Sequence, residues 1–159
     1  MRHTRPAGVR GRDARVPTDA VRRDLHDDRF PACRDDVVSP HALVVDDDPV
    51  TRLVLCHLLA RLDWTTDQAG DRLEAVTRID AVSYDLVISD FRLPTGTGLD
   101  VLDAVERVDD PPPFMLVTGV IEHSSVAPEV TERIAAQLTK PVSSEALRTA
   151  IARLFPAEP

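Results

Sequence analysis

Cysteine, lysine and aromatic residues are scarce in this chain of 159 residues, which contains two Cys, one Lys, four Phe, one Trp and one Tyr. Cys33 and Cys56 have no metal-ligand spacing, and two cysteines are too few for a disulfide framework in a chain of this size, so we expect reduced thiols. No apolar run approaches the roughly 18 residues that a membrane span requires. The start of the chain also lacks the hydrophobic segment of a signal peptide. These absences argue against a disulfide scaffold and a membrane protein, and they favour a cytoplasmic location.

Negative charge dominates the chain, whose formal net charge is −8, but it is unevenly distributed. Residues 1–40 hold nine Arg and seven Asp, whereas residues 41–159 hold nine Arg and one Lys against twenty acidic residues. An acidic body argues against direct nucleic-acid binding, because phosphate contacts need a basic surface. Lys140 is the only lysine in a chain that otherwise uses Arg for its cations. We therefore expect its compact ammonium group to have a task that a guanidinium could not perform.

Residues 1–40 show no sustained hydrophobic periodicity, and proline and glycine interrupt them repeatedly. We interpret this segment as a disordered or weakly structured extension, with one possible short helix at residues 16–25. A basic arm for an anionic partner is a weaker interpretation, because seven Asp are interspersed among the arginines. An over-extended start of the reading frame is a further alternative. The regular pattern begins at His41, which predicts a domain over residues 41–155 and a short tail over residues 156–159.

From His41 onward, short apolar runs alternate with segments of helical periodicity. Five such alternations predict an α/β fold with a five-stranded parallel sheet, a doubly wound (βα)5 arrangement with helices on both faces. The predicted strands cover residues 42–45, 64–69, 86–90, 114–117 and 137–139, and the predicted helices cover residues 49–62, 71–79, 99–108, 128–136 and 144–154.

Polar residues close four of these strands: Asp46 with Asp47, Asp90, Thr118 and Lys140. Because the carboxyl ends of parallel strands share one edge of the sheet, we expect these side chains to converge there. Neighbouring carboxylates repel one another unless a cation is present, and Mg²⁺ is a hard ion that takes carboxylate oxygens and leaves positions open for phosphate. With Asp46 and Asp47 holding the metal, Asp90 could act as a nucleophile toward phosphorus. Lys140 would neutralise phosphoryl charge, and the Thr118 hydroxyl could bond a phosphoryl oxygen.

Four motifs follow one another in residues 41–155: VVDDDP at residues 44–49, SDFRLP at residues 89–94 with Gly98, VTG at residues 117–119, and Lys140-Pro141. Each motif alone is weak, but their order and spacing together are highly specific. On these motifs, residues 41–155 resemble the receiver domain of two-component response regulators, which has a CheY-like, flavodoxin-like fold.

The resemblance implies that Asp90 accepts a phosphoryl group from a sensor histidine kinase or a histidine phosphotransfer protein. It also implies that Asp46, Asp47 and Asp90 bind Mg²⁺, with the backbone carbonyl of Arg92 as a further ligand. In this family such a chain is a phosphoacceptor signalling domain, and its catalysis is limited to its own phosphorylation and dephosphorylation. Because only a short tail follows the last predicted helix, we expect a stand-alone receiver that signals through protein–protein contact or a phosphorelay.

For the remaining site residues, the resemblance implies that Thr118 is the switch hydroxyl and that Lys140 contacts the phosphoryl group. Lys140-Pro141 would be the cis junction that the family carries. One position departs from the pattern, because Gln137 stands where the family usually has an aromatic ring that moves inward on activation. The predicted helix beginning at Pro128 is also short. These departures question the usual route of signal output and leave the phosphorylation chemistry intact.

Two alternatives remain open at this stage. The run from Asp46 to Val50 also fits the first motif of haloacid-dehalogenase-like phosphatases, in which Asp46 would be the nucleophile and Asp48 the general acid. Against this reading, no acidic metal-binding motif follows Lys140, no cap domain is evident, and Asp90 is left unexplained. The second alternative is a pseudo-receiver that binds partners without phosphorylation, which the intact acidic residues disfavour.

Overall fold

The computed structural model describes residues 38–119 and 126–157, which belong to one compact unit. Most of the predicted extension, including the possible helix at residues 16–25, lies outside the described residues. The domain boundaries at residues 40 and 155 therefore stay predictions. In chain order the elements are β1 His41–Val45, α1 Pro49–Ala60, β2 Thr65–Ala69, α2 Arg72–Ala81, β3 Leu86–Asp90, β4 Arg92–Leu93, β5 Gly96–Thr97, α3 Gly98–Val105, β6 Phe114–Thr118, α4 Pro128–Thr131, β7 Ala136–Thr139 and α5 Ser144–Leu154.

The predicted five-stranded parallel sheet is confirmed, with strand order β2-β1-β3-β6-β7. β3 and β6 lie at the centre and are buried along their whole length, as their continuous apolar runs predict. Successive residues of β1 point to opposite faces, so that Leu43 packs in one apolar core and Val44 in the other. The first core includes residues of α2 and α3, and the second includes residues of α1 and α5. The doubly wound arrangement follows from this alternation.

Local capping sets where the helices begin. Asp48 caps α1, because its side chain accepts hydrogen bonds from the backbone N–H groups of Val50 and Thr51. The Thr51 hydroxyl and these N–H groups lower the pKa of the Asp48 carboxyl. Ser143 caps α5 in the same way. In the described part of the chain, none of the helices has the length and apolarity needed to cross a membrane.

Three predicted helices are longer than those in the structure. α1 ends at Ala60 and not at residue 62, and α3 ends at Val105 and not at residue 108. α4 ends at Thr131, whereas the periodicity predicted a helix to residue 136. The physical reason is competition from the sheet, because the Ala135 N–H already donates to the Phe114 carbonyl at 2.8 Å and draws the chain into an extended conformation. Helical spacing of apolar residues persists there without a helix.

The sequence did not predict the small antiparallel ribbon of β4 and β5, which follows the end of β3. The third helix was predicted to begin at residue 99, and α3 begins at Gly98. Gly96 has a φ of 155°, a conformation that side-chain-bearing residues rarely adopt, and it makes the tight return possible. The ribbon therefore carries the chain from the end of β3 into α3 within seven residues, from Phe91 to Thr97.

A polar cluster at the start of β1 links this strand to β2 and to the loop before β3. The Tyr84 hydroxyl donates to Asp67 Oδ2 at 2.8 Å, and its ring stacks on His41 with centroids 5.1 Å apart. His41 Nε2 lies 3.2 Å from the same Asp67 oxygen. Burial of the phenol, together with its bond to Asp67, raises the pKa of Tyr84 from 10.0 to about 12. The phenol therefore holds its proton more tightly in the folded chain than in the unfolded one.

This raised pKa predicts a loss of stability at alkaline pH. Between pH 10 and about 12 the unfolded chain releases the phenol proton while the folded chain keeps it. The unfolded state then binds fewer protons, so the free energy of unfolding should fall as the pH rises through this interval. We expect Tyr84→Phe to be less stable than the wild type by roughly 1 kcal/mol at neutral pH, because it lacks the hydrogen bond to Asp67. It should also lose less stability above pH 10. Urea unfolding of both proteins across this range measures the two slopes.

The Lys140 ammonium is present in both proteins, so its contribution cancels and the difference between the slopes isolates Tyr84. Equal slopes in the wild type and Tyr84→Phe would show that the phenol proton is not linked to folding.

Candidate functional site

Four of the predicted site residues converge at the carboxyl edge of the sheet. Asp46 directly follows β1, Asp90 closes β3, Thr118 closes β6 and Lys140 directly follows β7. Asp46 and Thr118 are fully buried, and Asp90 is 8% exposed. Charged and hydroxyl groups buried to this degree need partners, because taking them out of water is costly. Their immediate contacts therefore define what this edge can do.

Lys140 contacts both buried carboxylates. Its Nζ lies 2.8 Å from Asp46 Oδ2 and 3.1 Å from Asp90 Oδ2. Burial alone would lower the pKa of Lys140, but hydrogen bonds and charge attraction from Asp46 and Asp90 outweigh it and raise the pKa. The ammonium group is therefore held charged between the two carboxylates. The contact explains why this single position carries lysine, since a compact point charge fits between two acceptors on different strands.

The Asp90 carboxylate is partly removed from water. Burial raises the pKa of its carboxyl, and the negative charge of Asp46 acts in the same direction. Lys140 and the backbone N–H of Arg92, both of which bond to the carboxylate, oppose that rise. Asp90 thus combines a partly desolvated oxygen with a neighbouring cation, which is the environment of a reactive carboxylate.

Both carboxylate oxygens of Asp46 have hydrogen-bond partners. Its Oδ1 accepts a hydrogen bond from the Asp48 N–H at 2.8 Å, while its Oδ2 contacts Lys140. The Asp46 backbone N–H donates to the Ala69 carbonyl at 3.1 Å, and the Arg52 guanidinium donates to the Asp46 backbone carbonyl. Asp48 therefore acts twice, as the cap of α1 and as a positioning residue for Asp46.

Asp46, Asp47 and Asp90 each offer a carboxylate oxygen, and these three oxygens lie within 4.8 Å of one another. Asp47 is exposed, so the cluster opens to solvent on its side. Three carboxylates face one ammonium, which leaves a formal surplus of negative charge. A hard divalent ion with oxygen preference, such as Mg²⁺, fits this donor set and would balance that charge. Whether the Arg92 carbonyl contributes to the same ion stays a prediction.

The Thr118 side chain is the remaining predicted site group. Its Oγ1 is buried and makes no hydrogen bond to any described group. Its backbone carbonyl accepts from the Lys140 N–H at 2.7 Å, which joins the ends of β6 and β7. The predicted cis bond between Lys140 and Pro141 is present. Thr118 therefore brings an uncommitted hydroxyl to the edge that carries Asp90.

Gly98 supports the backbone of Asp90, a role that the sequence reasoning missed. Its N–H donates to the Phe91 carbonyl at 2.8 Å. A Cβ atom at this position would overlap the Asp90 carbonyl oxygen and would come within 3.1 Å of Ser89 Oγ. Ser89 itself donates to that carbonyl at 2.9 Å. The available signal was the glycine at a fixed distance after Asp90, which entered the sequence analysis only as part of a motif.

Comparison with known proteins identifies one matching family model and several similar curated proteins. The model of the response regulator receiver domain family matches residues 42–152. The chain is 27% identical over 117 residues to the chemotaxis protein CheY of Pseudomonas aeruginosa, which covers 71% of this chain and 94% of that protein. It is 36% identical over 125 residues to the two-component response regulator ORR24 of Oryza sativa, covering 77% of this chain and 19% of the regulator. The chain spans about a fifth of the length of the first curated relatives, so their other activities do not transfer with the match.

Solved structures give the same result for the fold. A CheY-like receiver domain from Methylobacillus flagellatus superposes with a TM-score of 0.68 at 22% identity, covering 73% of this chain and 98% of that one. A response regulator from Thermotoga maritima, solved in complex with Mg²⁺-BeF, superposes with a TM-score of 0.65 at 25% identity, covering 73% of this chain and 99% of that one. These matches do not favour the haloacid-dehalogenase-like alternative, which treated Asp46 as the nucleophile.

The close approach of Gly98 to Asp90 predicts a strong local effect of a single methyl group. We expect Gly98→Ala to lower the free energy of unfolding by about 1–3 kcal/mol, because the backbone carbonyl that it meets cannot move aside without shifting β3. Gly70→Ala is the matched control, since its Cβ would meet the flexible end of Arg52 at 3.3 Å. We expect this control to change stability by less than about 0.5 kcal/mol. Denaturant unfolding of both variants measures the difference, and equal costs would contradict the steric role of Gly98.

Proposed function

Since the chain belongs to the response regulator receiver domain family, we propose that Asp90 accepts a phosphoryl group from a phosphohistidine donor. The family is a signalling domain, so we propose a signalling role in place of metabolic turnover. The contact that carries the proposal is Lys140 Nζ at 3.1 Å from Asp90 Oδ2, beside the acidic cluster. A partly buried carboxylate with an adjacent ammonium and an oxygen-rich cation site has the groups that phosphoryl transfer requires.

In the transfer step, an Asp90 carboxylate oxygen forms a bond to phosphorus as the bond between phosphorus and the donor imidazole nitrogen breaks. The imidazole keeps the bonding electron pair and leaves, and Asp90 becomes an acyl phosphate. The burial that raises the pKa of Asp90 also removes water from its carboxylate, while Lys140 keeps it ionised. The nucleophile is therefore charged and only partly hydrated before the donor arrives.

Charge neutralisation falls to Lys140 and to a divalent cation. The Lys140 ammonium lies between Asp46 and Asp90, so it can stabilise negative charge on the Asp90 carboxylate before transfer and on the phosphoryl oxygens after it. Mg²⁺, held by Asp46, Asp47 and Asp90, would supply the further positive charge that a phosphoryl group needs. The firm fixation of Asp46 by the Asp48 N–H and Lys140 supports its assignment as a preorganised ligand.

Asp90→Asn tests the acceptor residue itself. We expect Asp90→Asn to fold like the wild type and to take up no phosphoryl group, because an amide oxygen cannot form the acyl phosphate. The test is intact mass after incubation with acetyl phosphate, with and without Mg²⁺. One adduct should form on the wild type in the presence of Mg²⁺, and no adduct should form when a chelator is present from the start of the incubation.

Asp46→Asn is the matched variant, since it removes one charge from the other buried carboxylate that contacts Lys140. We expect it to slow the adduct without moving it to another residue. An adduct that persists in Asp90→Asn would overturn the proposal, and one that disappears only in Asp46→Asn would place the nucleophile on Asp46.

We further propose that the phosphodonor protein docks on α1. Val50, Leu53 and Val54 lie on one side of this helix and are 66%, 65% and 46% exposed. A cavity of about 330 Å³ beside them is lined by apolar side chains of α1 and by the segment from Lys140 to Val142. Because Lys140 also contacts Asp90, this apolar surface borders the acceptor. Exposed apolar side chains next to a reactive group favour a protein partner over a small substrate.

This docking surface predicts a difference between donors. We expect Leu53→Asp to slow phosphoryl transfer from a histidine phosphotransfer protein by about tenfold or more, because a charge would lie in the apolar contact. Transfer from acetyl phosphate should be unchanged, since that donor needs no docking. Leu73→Asp is the control, because Leu73 lies on α2 and is equally exposed at 66%. Equal slowing by both variants, or slowing with acetyl phosphate, would contradict the α1 assignment.

For output, we propose that phosphorylation shifts a conformational equilibrium through Thr118, whose hydroxyl would bond a phosphoryl oxygen. The change would then pass to a protein partner or to a further phosphotransfer step in the cytoplasm.

A further inference from the structure

Three buried side-chain atoms in the described part of the chain lack a hydrogen-bond partner, and two of them lie on neighbouring strands. These two are Thr118 Oγ1 on β6 and Gln137 Nε2 on β7; the third is Arg78 Nε on α2. Buried polar atoms are nearly always paired in native structures, so a group that is not paired calls for an explanation. Two such groups on adjacent strands, one of them at the proposed phosphorylation site, suggest a common explanation.

The strand register places both side chains on the same face of the sheet. Leu116 pairs with Gln137, and Thr118 pairs with Thr139. Because side chains alternate along a strand, Thr118 shares its face with Leu116, and Gln137 shares that same face. The opposite face confirms this assignment, since Met115, Val117 and Leu138 pack together in the other core.

The distance between the two residues suits a direct contact. Gln137 lies two residues before the partner of Thr118, which separates their Cα atoms by about 8 Å, given the spacing and rise of parallel strands. A glutamine side chain is long enough to cross such a diagonal on one face. The contact is not formed in the described structure, where both atoms are unpaired.

We propose that Gln137 is a positioning residue for Thr118 in the phosphorylated state, a proposal that rests on the function proposed above. A threonine hydroxyl has one hydrogen and two lone pairs, and a glutamine amide nitrogen has two hydrogens and no lone pair to offer. Once the Thr118 hydroxyl donates its hydrogen to a phosphoryl oxygen, it can still accept one from Gln137 Nε2. One hydrogen bond would then satisfy both unpaired atoms and hold Thr118 toward Asp90.

The chemistry requires an amide at this position. The proposed bond needs a donor, because the only hydrogen of Thr118 is committed to the phosphoryl group. A glutamate would bring acceptors alone and would compete for that hydrogen. A methionine would keep the length of the side chain and bring neither donor nor charge. Gln137→Glu and Gln137→Met therefore separate the donor from the shape of the side chain.

The test is a double-mutant cycle read by affinity for Mg²⁺ with beryllium fluoride, an analogue of the phosphoryl group. We expect Gln137→Met to weaken binding about fivefold when Thr118 is present, which corresponds to the loss of one hydrogen bond. In a Thr118→Val background the same change should have no further effect. Gln137→Glu should weaken binding at least as much as Gln137→Met. Independent effects that multiply in the double variant would overturn the proposal.

A second measurement uses the unaltered chain and does not depend on the folding of any variant. The side-chain amide resonances of Gln137 should shift, and their exchange with water should slow, when Mg²⁺ and beryllium fluoride are added together. Mg²⁺ alone should have neither effect. Unmoved Gln137 resonances in a chain that binds the analogue would overturn the proposal.

A failure of the function proposed above would give a different experimental result. If the wild type does not bind the analogue, or if Asp90→Asn binds it equally well, then the acceptor assignment fails and this inference falls with it. If binding depends on Asp90 and the coupling is absent, only the pairing of Gln137 with Thr118 is wrong.

Discussion

The ammonium of Lys140 between two buried carboxylates is the contact on which this structure's site depends. It joins the end of β7 to the ends of β1 and β3 through Asp46 and Asp90. A buried ion pair is weak evidence for stability, because the cost of removing its members from water offsets their attraction. Asp47 adds a third carboxylate oxygen within 4.8 Å of the other two, and like charges at this range repel one another. The arrangement therefore fits the proposed role, in which a cation and a phosphoryl group bind here, better than it fits a purely stabilising role.

Most of the fold could be predicted from the sequence, because its signals are local. The uniformly apolar runs that became β3 and β6 indicated strands buried on both faces, and Asp48 followed by Pro49 indicated the start of α1. The prediction of a helix to residue 136 was wrong because the decisive interaction is not local. The Ala135 N–H bonds the Phe114 carbonyl, a residue 21 positions earlier, and Arg133 bonds Asp103 and Glu106 on α3. Spacing within a segment carries no information about such partners.

The site residues show the same difference between local signals, which the sequence carries, and contacts that depend on the folded structure. The convergence of Asp46, Asp90, Thr118 and Lys140 could be predicted, because parallel strands bring their carboxyl ends to one edge. The dual role of Asp48 and the contact of Gly98 with the Asp90 backbone could not, since both depend on atomic positions around a turn. Gln137 was noticed only as a departure from a family pattern. Its unpaired nitrogen and its place on the same face as Thr118 became visible only with the register of β6 and β7.

The two sides of Thr118 differ in how firmly they are held, and this difference bears on how a signal could leave the site. Toward Asp46, the carboxylate itself is buried and accepts a hydrogen bond from the backbone N–H of Asp48. Toward α3, the segment that leads into β7 is tied by Arg133 to Asp103 and Glu106, and all three side chains are more than a third exposed. Exposed ion pairs contribute little free energy and are screened by salt. If phosphorylation moves Thr118 as proposed, the exposed ion pairs between Arg133 and α3 would offer less resistance to that movement than the contacts of the carboxylate cluster.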